Sequence, residues 1–382
     1  NVGRAPHDPT GDVGKSFYMQ AINATRIGLF NKSDGSLVTN FAANTLWNSL
    51  GFTSAGDPII LYDQEFKRWI ITEFANQGNN LMVAISDTED PMGEYNVYNF
   101  TTPNFPDYPK YSIWTDSYTV TTNEQGPRNL HSYFINREQL LMGAETVVIQ
   151  RVEVPGNSNT EAGFFVSTPV DWSGRLAPPQ ERNPMFLSLN DASWNVGETE
   201  DKVEIFSFDV NWDNPDSTTM TRQSVVVSPY DSYPCSAEGV GFSCIPQRGG
   251  NGLDGIPEVI MNQIHYRNFG TYETMVMNFI TDVTDGEDIS GIRWIEMRRT
   301  TDDEWSVYQE GTFAPADNLH RYMGSIAMDG AGNIGLAYNV SGVDDYTGIR
   351  FTGRRANDEL GQMTVEEFEV VAGESTINSF GR

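Results

Sequence analysis

The sequence predicts an all-β protein built as a β-propeller, a ring of small repeated sheets around a central channel. Three observations carry this reading. Apolar runs are short and broken by turns, with 35 Gly and 19 Pro among 382 residues, the pattern of many strands and few helices. A unit of four such runs recurs along the chain, and in its clearest instance it fills about 45 residues, the length of one propeller blade. The 8 Trp, 16 Tyr and 21 Phe supply enough apolar bulk for a packed core, which argues against disorder. Closed β folds of this length form single units, so residues 1–382 are read as one domain.

The clearest unit begins at Gly56-Asp57-Pro58. Ile59 to Tyr62 is an apolar strand, Asp63 to Lys67 a polar turn, and Arg68 to Phe74 a second strand; Leu81 to Ser86 and Tyr95 to Phe100 complete the four. Asp57 and Asp63 read as turn-capping residues that bond backbone amides. Similar starts recur at Gly11 to Gly14 before Phe17, Asp107 to Lys110 before Tyr111, and Asn183-Pro184 before Met185. Two more stand at Asn262-Gln263 before Ile264 and at Arg321 to Gly324 before Ser325, giving six readable units. Lys32 to Gly35 and Asp329 to Asn333 carry the Gly and Asp residues that tight turns with positive φ require. Two stretches, about 154–182 and 228–257, are rich in Pro, Gly, Ser and Asn and read as long rim loops. The sixth unit is followed only by Gly373 to Arg382, so a seventh, incomplete or missing, unit is expected beyond Arg382, since an open sheet edge leaves backbone groups unpaired. A pair of β-sandwiches or a β-helix is the alternative architecture.

Charge narrows the partners. With 24 Lys+Arg against 52 Asp+Glu the net charge is −28, which repels nucleic acid and anionic membranes over most of the surface. It suits salty surroundings, where screening over about 10 Å or less blunts self-repulsion. No run approaches the ~18 apolar residues of a membrane span. The chain opens at Asn1 without Met, reading as a processed, exported product. Cys235 and Cys244, separated by a segment containing Gly239 and Gly241, are expected to clip a loop as a disulfide in an oxidising compartment. Secretion to the outside or the cell surface is therefore expected.

Several segments carry a resemblance: Asp8-Pro9-Thr10-Gly11-Asp12-Val13-Gly14, Asn44-Thr45-Leu46-Trp47, and Phe105-Pro106-Asp107-Tyr108-Pro109-Lys110. Cys244-Ile245-Pro246-Gln247, Tyr266-Arg267-Asn268-Phe269 and Met323 to Asp329 continue it. In this order they resemble a family of secreted, propeller-like bacterial proteins, frequent in marine species. The resemblance implies an extracellular propeller and a further segment after Arg382; it implies no activity.

Propellers bind ligands where loops of successive blades converge at the channel mouths. That placement nominates Asp57, Asp107, Tyr108 and Lys110 for binding, and His265, Arg267, His320 and Arg321 for chemistry. A His beside an Arg could take the C5 proton of a uronic acid while the Arg neutralises its carboxylate, the logic of a polysaccharide lyase. The same side chains could equally make hydrogen bonds and ion pairs between blades. A glycoside hydrolase needs two carboxylates roughly 5 to 9 Å apart, but among 52 acids their mere presence decides nothing. Asp282, Asp285, Glu287 and Asp288 cluster around Gly286 as a calcium loop would, without the full EF-hand spacing. No His or Cys pair has zinc spacing, and no phosphate loop or nucleophile elbow is present, so no nucleotide, haem or zinc is expected. The function expected is extracellular binding or adhesion to a surface or polysaccharide. A polysaccharide-degrading enzyme and a structural subunit of a secreted assembly are the alternatives.

Overall fold

The computed structural model describes residues 6–23, 26–125, 129–156, 164–194, 197–234, 243–284, 289–300 and 303–378. The chain forms two compact units, residues 1–154 with 212–215, and residues 155–211 with 216–382.

The first unit carries three four-stranded sheets. They are β1 (Thr10–Val13), β2 (Phe17–Ile22), β3 (Arg26–Asn31) and β4 (Leu37–Ala42); then, after helix α1 (Asn44–Trp47), β5 (Ser54–Asp63), β6 (Arg68–Ala75), β7 (Asn80–Ser86) and β8 (Tyr95–Thr101). The third holds β9 (Asp107–Ile113), β10 (Ser117–Asn123), β11 (Asn129–Asn136) and, beyond helix α2 (Arg137–Leu141), β12 (Ile149–Pro155). β6 and β7 are apolar almost without alternation because both of their faces are packed. Ile60, Ile71 and Met82 face the β1–β4 sheet while Leu61, Ile70 and Val83 face the β9–β12 sheet.

The second unit contains β13 (Thr168–Trp172), β14 (Met185–Asn190), β15 (Lys202–Asp209) and β16 (Thr219–Val226), then β17 (Ile264–Asn268), β18 (Glu273–Asp282), β19 (Ser290–Arg299) and β20 (Ser306–Phe313). The last sheet is β21 (His320–Met328), β22 (Ile334–Gly342), β23 (Asp345–Arg354) and β24 (Val365–Val371). Sequential strands in antiparallel meanders are the form of a propeller blade, and the fold is all-β and propeller-like.

Six separate blades are not what forms. Four sheets have four strands, and β13 to β20 make one eight-stranded sheet. The cause is a parallel pairing of β13 with β17, Val170 opposite Ile264, Asp171 opposite His265 and Trp172 opposite Tyr266, which fuses two meanders. β13 lies inside the 154–182 stretch read as a loop. Thr-Pro-Val-Asp-Trp contains two residue types depleted in strands, and its partner is some ninety residues away in sequence. Two unit starts also move by one strand: Thr10 to Val13 is itself β1, and Met185 begins the second strand of its meander. The 228–257 stretch holds no named strand among its described residues. Residues 379–382, where a further unit is expected to begin, lie outside the described residues.

First strands share a device. Asp57, Tyr108 and Met323 have φ of 49°, 50° and 51°, at register shifts in β5, β9 and β21. Each is a β-bulge that bends its strand. The bulge at Met323 brings Gly324 against the amide of Asn278, a fully buried side chain of β18. A Cβ at Gly324 would overlap Asn278 Oδ1 and sit 3.3 Å from Ile292 Cγ2. Gly324→Ala is expected to cost about 2 kcal/mol through overpacking, read as a lowered calorimetric midpoint. Adding Asn278→Ala should return part of that loss, and no rescue would locate the strain elsewhere.

Candidate functional site

The strand β17 alternates. Ile264 and Tyr266 are fully buried, so His265 and Arg267, at odd positions between them, point to the opposite face. Both reach the last residue of β21. The Met328 N–H donates to His265 Nδ1 at 3.3 Å, and Arg267 Nε donates to the Met328 carbonyl at 2.9 Å. Two side chains thereby satisfy the main chain of an edge strand that has no neighbour there. The following turn fits the expected tight hairpin, with Gly332 at φ 84° and the Asp329 carboxylate accepting the N–H groups of Ala331 and Asn333 at 2.8 and 2.9 Å.

His265 and Arg267 form one end of an open cleft of about 570 Å³, also lined by Phe351, Gly353, Arg354, Arg355 and Val365. That volume is in the range of small-ligand sites. Its charge runs against the rest of the chain: three arginines line it with one carboxylate, that of Asp329, in a protein of net charge −28. Eight other arginines, Arg137 and Arg321 among them, each have a carboxylate oxygen within 4.0 Å. None of the three in the cleft does, among the described residues. Arg354, almost fully buried, donates to the carbonyls of Gln362, Asp358 and Glu359. Arg267 is half-buried, and its two terminal nitrogens have no hydrogen-bond partner among the described residues. Burial holds its pKa below the usual arginine value, opposed by the charge of Asp329.

His265 is half-buried by surface yet closely surrounded by protein, and burial, with the Arg267 charge, lowers its pKa from 6.5 to about 3. The ring is therefore neutral at physiological pH. Since Nδ1 accepts from Met328, the proton resides on Nε2, which has no protein partner among the described residues. The cleft thus presents N–H donors from His265 and Arg267, and no free acceptor on either.

The other sequence candidates lie elsewhere. Arg321 is fully buried and saturated, with Asp317 at 3.0 and 2.8 Å, Glu367 at 2.9 and 3.1 Å, and the Leu319 carbonyl at 3.2 Å. His320 is buried, its Nδ1 accepting the Ser290 N–H at 3.3 Å. Asp57, Asp107, Tyr108 and Lys110 belong to the first unit and serve the bulges. The Asp107 carboxylate accepts the Tyr108 N–H at 2.9 Å, the Tyr108 ring is buried, and Lys110 Nζ stands 3.6 Å over it. The Asp282 carboxylate accepts the Thr284 N–H at 3.0 Å, and Asp285, Glu287 and Asp288 lie outside the described residues. Among the described residues no group of three or more His, Cys, Asp or Glu could hold a metal ion. Cys244 packs beside Ile245, Leu253, Ile280 and Tyr322, whereas Cys235 lies outside the described residues. Sequence reasoning missed Arg354, Arg355 and Phe351. The adjacent Arg354-Arg355 pair in so acidic a chain was the available signal.

No protein-family model and no curated protein matches the chain. Solved structures do resemble it. An ulvan lyase from a new polysaccharide lyase family, bound to a glucuronate and sulfated rhamnose repeat, is 14% identical over 98% of this chain and 84% of its own, with a TM-score of 0.50. A Synechocystis apocarotenoid oxygenase is 10% identical over 97% and 72%, TM-score 0.48, and the WD40 domain of SCAP from fission yeast 8% over 96% and 76%, TM-score 0.41. The likeness is one of fold.

Proposed function

We propose that this protein is an extracellular binding module that recognises an acidic polysaccharide through the His265–Arg267 cleft. One observation carries the reading: Arg267 is a partly desolvated cation with no carboxylate oxygen within 4.0 Å among the described residues, its terminal N–H groups open to a cleft shared with Arg354 and Arg355. A partly desolvated charge without a close counter-ion is costly, and an incoming carboxylate or sulfate relieves that cost. The acidic coat does not forbid the encounter. At physiological salt its repulsion decays over about 8 Å, while the contact attraction acts at hydrogen-bond distance.

Elimination chemistry is the less supported alternative. A lyase needs a base, and His265 carries its proton on the nitrogen that faces the cleft, so it donates. The remaining titratable acid, Asp329, is engaged by its own turn.

Titration calorimetry with uronate-containing and sulfated oligosaccharides, beside a neutral glucan, tests the reading. Arg267→Gln is expected to weaken binding of the acidic ligands by about tenfold to a hundredfold, the worth of one charged hydrogen-bonded contact. Equal affinity for neutral and acidic glycans would overturn it. A rise in absorbance near 235 nm on incubation with a uronate polymer would replace it by the lyase reading.

A further inference from the structure

The cleft continues across the open face of the β21–β24 sheet, and this inference rests on the acidic-polysaccharide reading. Register places Ala327, Gly335, Gly353 and Val365 side by side on four successive strands. At the usual interstrand spacing this row spans about 14 Å. Its middle members have no side chain, and the row forms a flat floor running from the β21 edge, where His265 and Arg267 stand, to β24. Two residues along, the parallel row is Ser325, Ala337, Phe351 and Phe368. There Phe351 is 37% and Phe368 64% exposed. A Cβ at Gly335 would meet the Phe351 ring at 3.1 Å, so the ring lies down over the glycine and turns its other side outward.

We infer that this trough holds a linear acidic oligosaccharide of about three sugar units, crossing the four strands with an anionic group at Arg267 and its rings against Phe351 and Phe368. Charge fixes where one anionic group sits, since the Arg267 guanidinium, with both terminal nitrogens open, lies at one end of the floor. Aromatic faces beside a flat floor favour the apolar sides of pyranose rings. A single charged sugar would occupy only the Arg267 end, leaving both phenylalanines in water.

Calorimetry with a length series of one uronate polymer, from monomer to hexamer, tests the trough. Affinity is expected to climb about tenfold from monomer to trimer, about 1.4 kcal/mol, and to level off beyond it. Phe368→Ala, at an exposed position where folding is safe, should flatten that climb while the circular dichroism spectrum and melting midpoint stay in place. If monomer and trimer bind equally in the wild type, the trough is wrong and the Arg267 site stands. If no acidic saccharide binds, both fall. Concentration-dependent self-association that Phe368→Ala removes, without any length dependence, would instead assign the face to a second copy of the chain.

Discussion

Replacing Asp63 by alanine is expected to remove about 3–5 kcal/mol of stability, the usual result of leaving a buried charge without its partner. Asp63, at the end of β5, has no exposed surface, and Arg137, at the start of α2, is 2% exposed. The guanidinium holds both carboxylate oxygens, through Nε at 2.9 Å and Nη2 at 2.8 Å to each. Tyr118 donates its hydroxyl to the same carboxylate at 2.7 Å, and the amides of Glu65 and Phe66 at 3.1 Å each. Arg137 would keep half-exposed Glu65 and the Thr115 carbonyl, neither of which replaces the buried carboxylate. Urea unfolding of Asp63→Ala, Arg137→Met and the double variant checks the claim. The double variant should lose less than the sum of the singles, because it leaves neither charge stranded. A single-variant loss under about 1 kcal/mol would refute the network's importance.

Glu73→Gln is expected to stabilise the protein, and increasingly so with pH. Several buried acids here face an arginine, as Glu124 faces Arg151 and Glu204 faces Arg222. Glu73 accepts instead from Trp47 Nε1 at 2.5 Å and Ser54 Oγ at 2.7 Å. Burial pushes its carboxyl up from 4.5 to about 7, against the two hydrogen bonds, which pull it down. The folded pKa exceeds the unfolded one, so the stability that the protonated acid contributes is complete below pH 4.5 and lost as pH rises through 7. Glutamine keeps the shape and never ionises. The variant should match wild type near pH 4.5 and exceed it by up to about 3 kcal/mol above pH 7. Chemical denaturation across that range reads the difference, and a pH-independent gap would remove the assigned cause.

Asp63 shows how far the sequence could be read. Its position after an apolar run marks a turn cap, and its carboxylate does accept the amides of Glu65 and Phe66. Nothing local announces Arg137, 74 residues further on. Asp57 and Tyr108 show the converse. A Gly-Asp-Pro or Asp-Tyr-Pro triplet reads the same whether it turns the chain toward a ligand or bulges a strand, and here it bulges.

By itself the sequence determined the all-β character and the place of the four strands of its clearest unit. Ile59 to Tyr62, Arg68 to Phe74, Leu81 to Ser86 and Tyr95 to Phe100 all fall within β5 to β8, because strand periodicity and turn chemistry are written in neighbouring residues. It also singled out His265 and Arg267, but not what surrounds them. Only the tertiary structure decided that β13 pairs in parallel with β17, that Arg321 is spent on Asp317 and Glu367, and that Arg267 lines one cleft with Arg355 and Phe351 while no carboxylate oxygen lies within 4.0 Å of it among the described residues. Those outcomes depend on residues far apart in the chain competing for the same partners, and no local pattern records which of them wins.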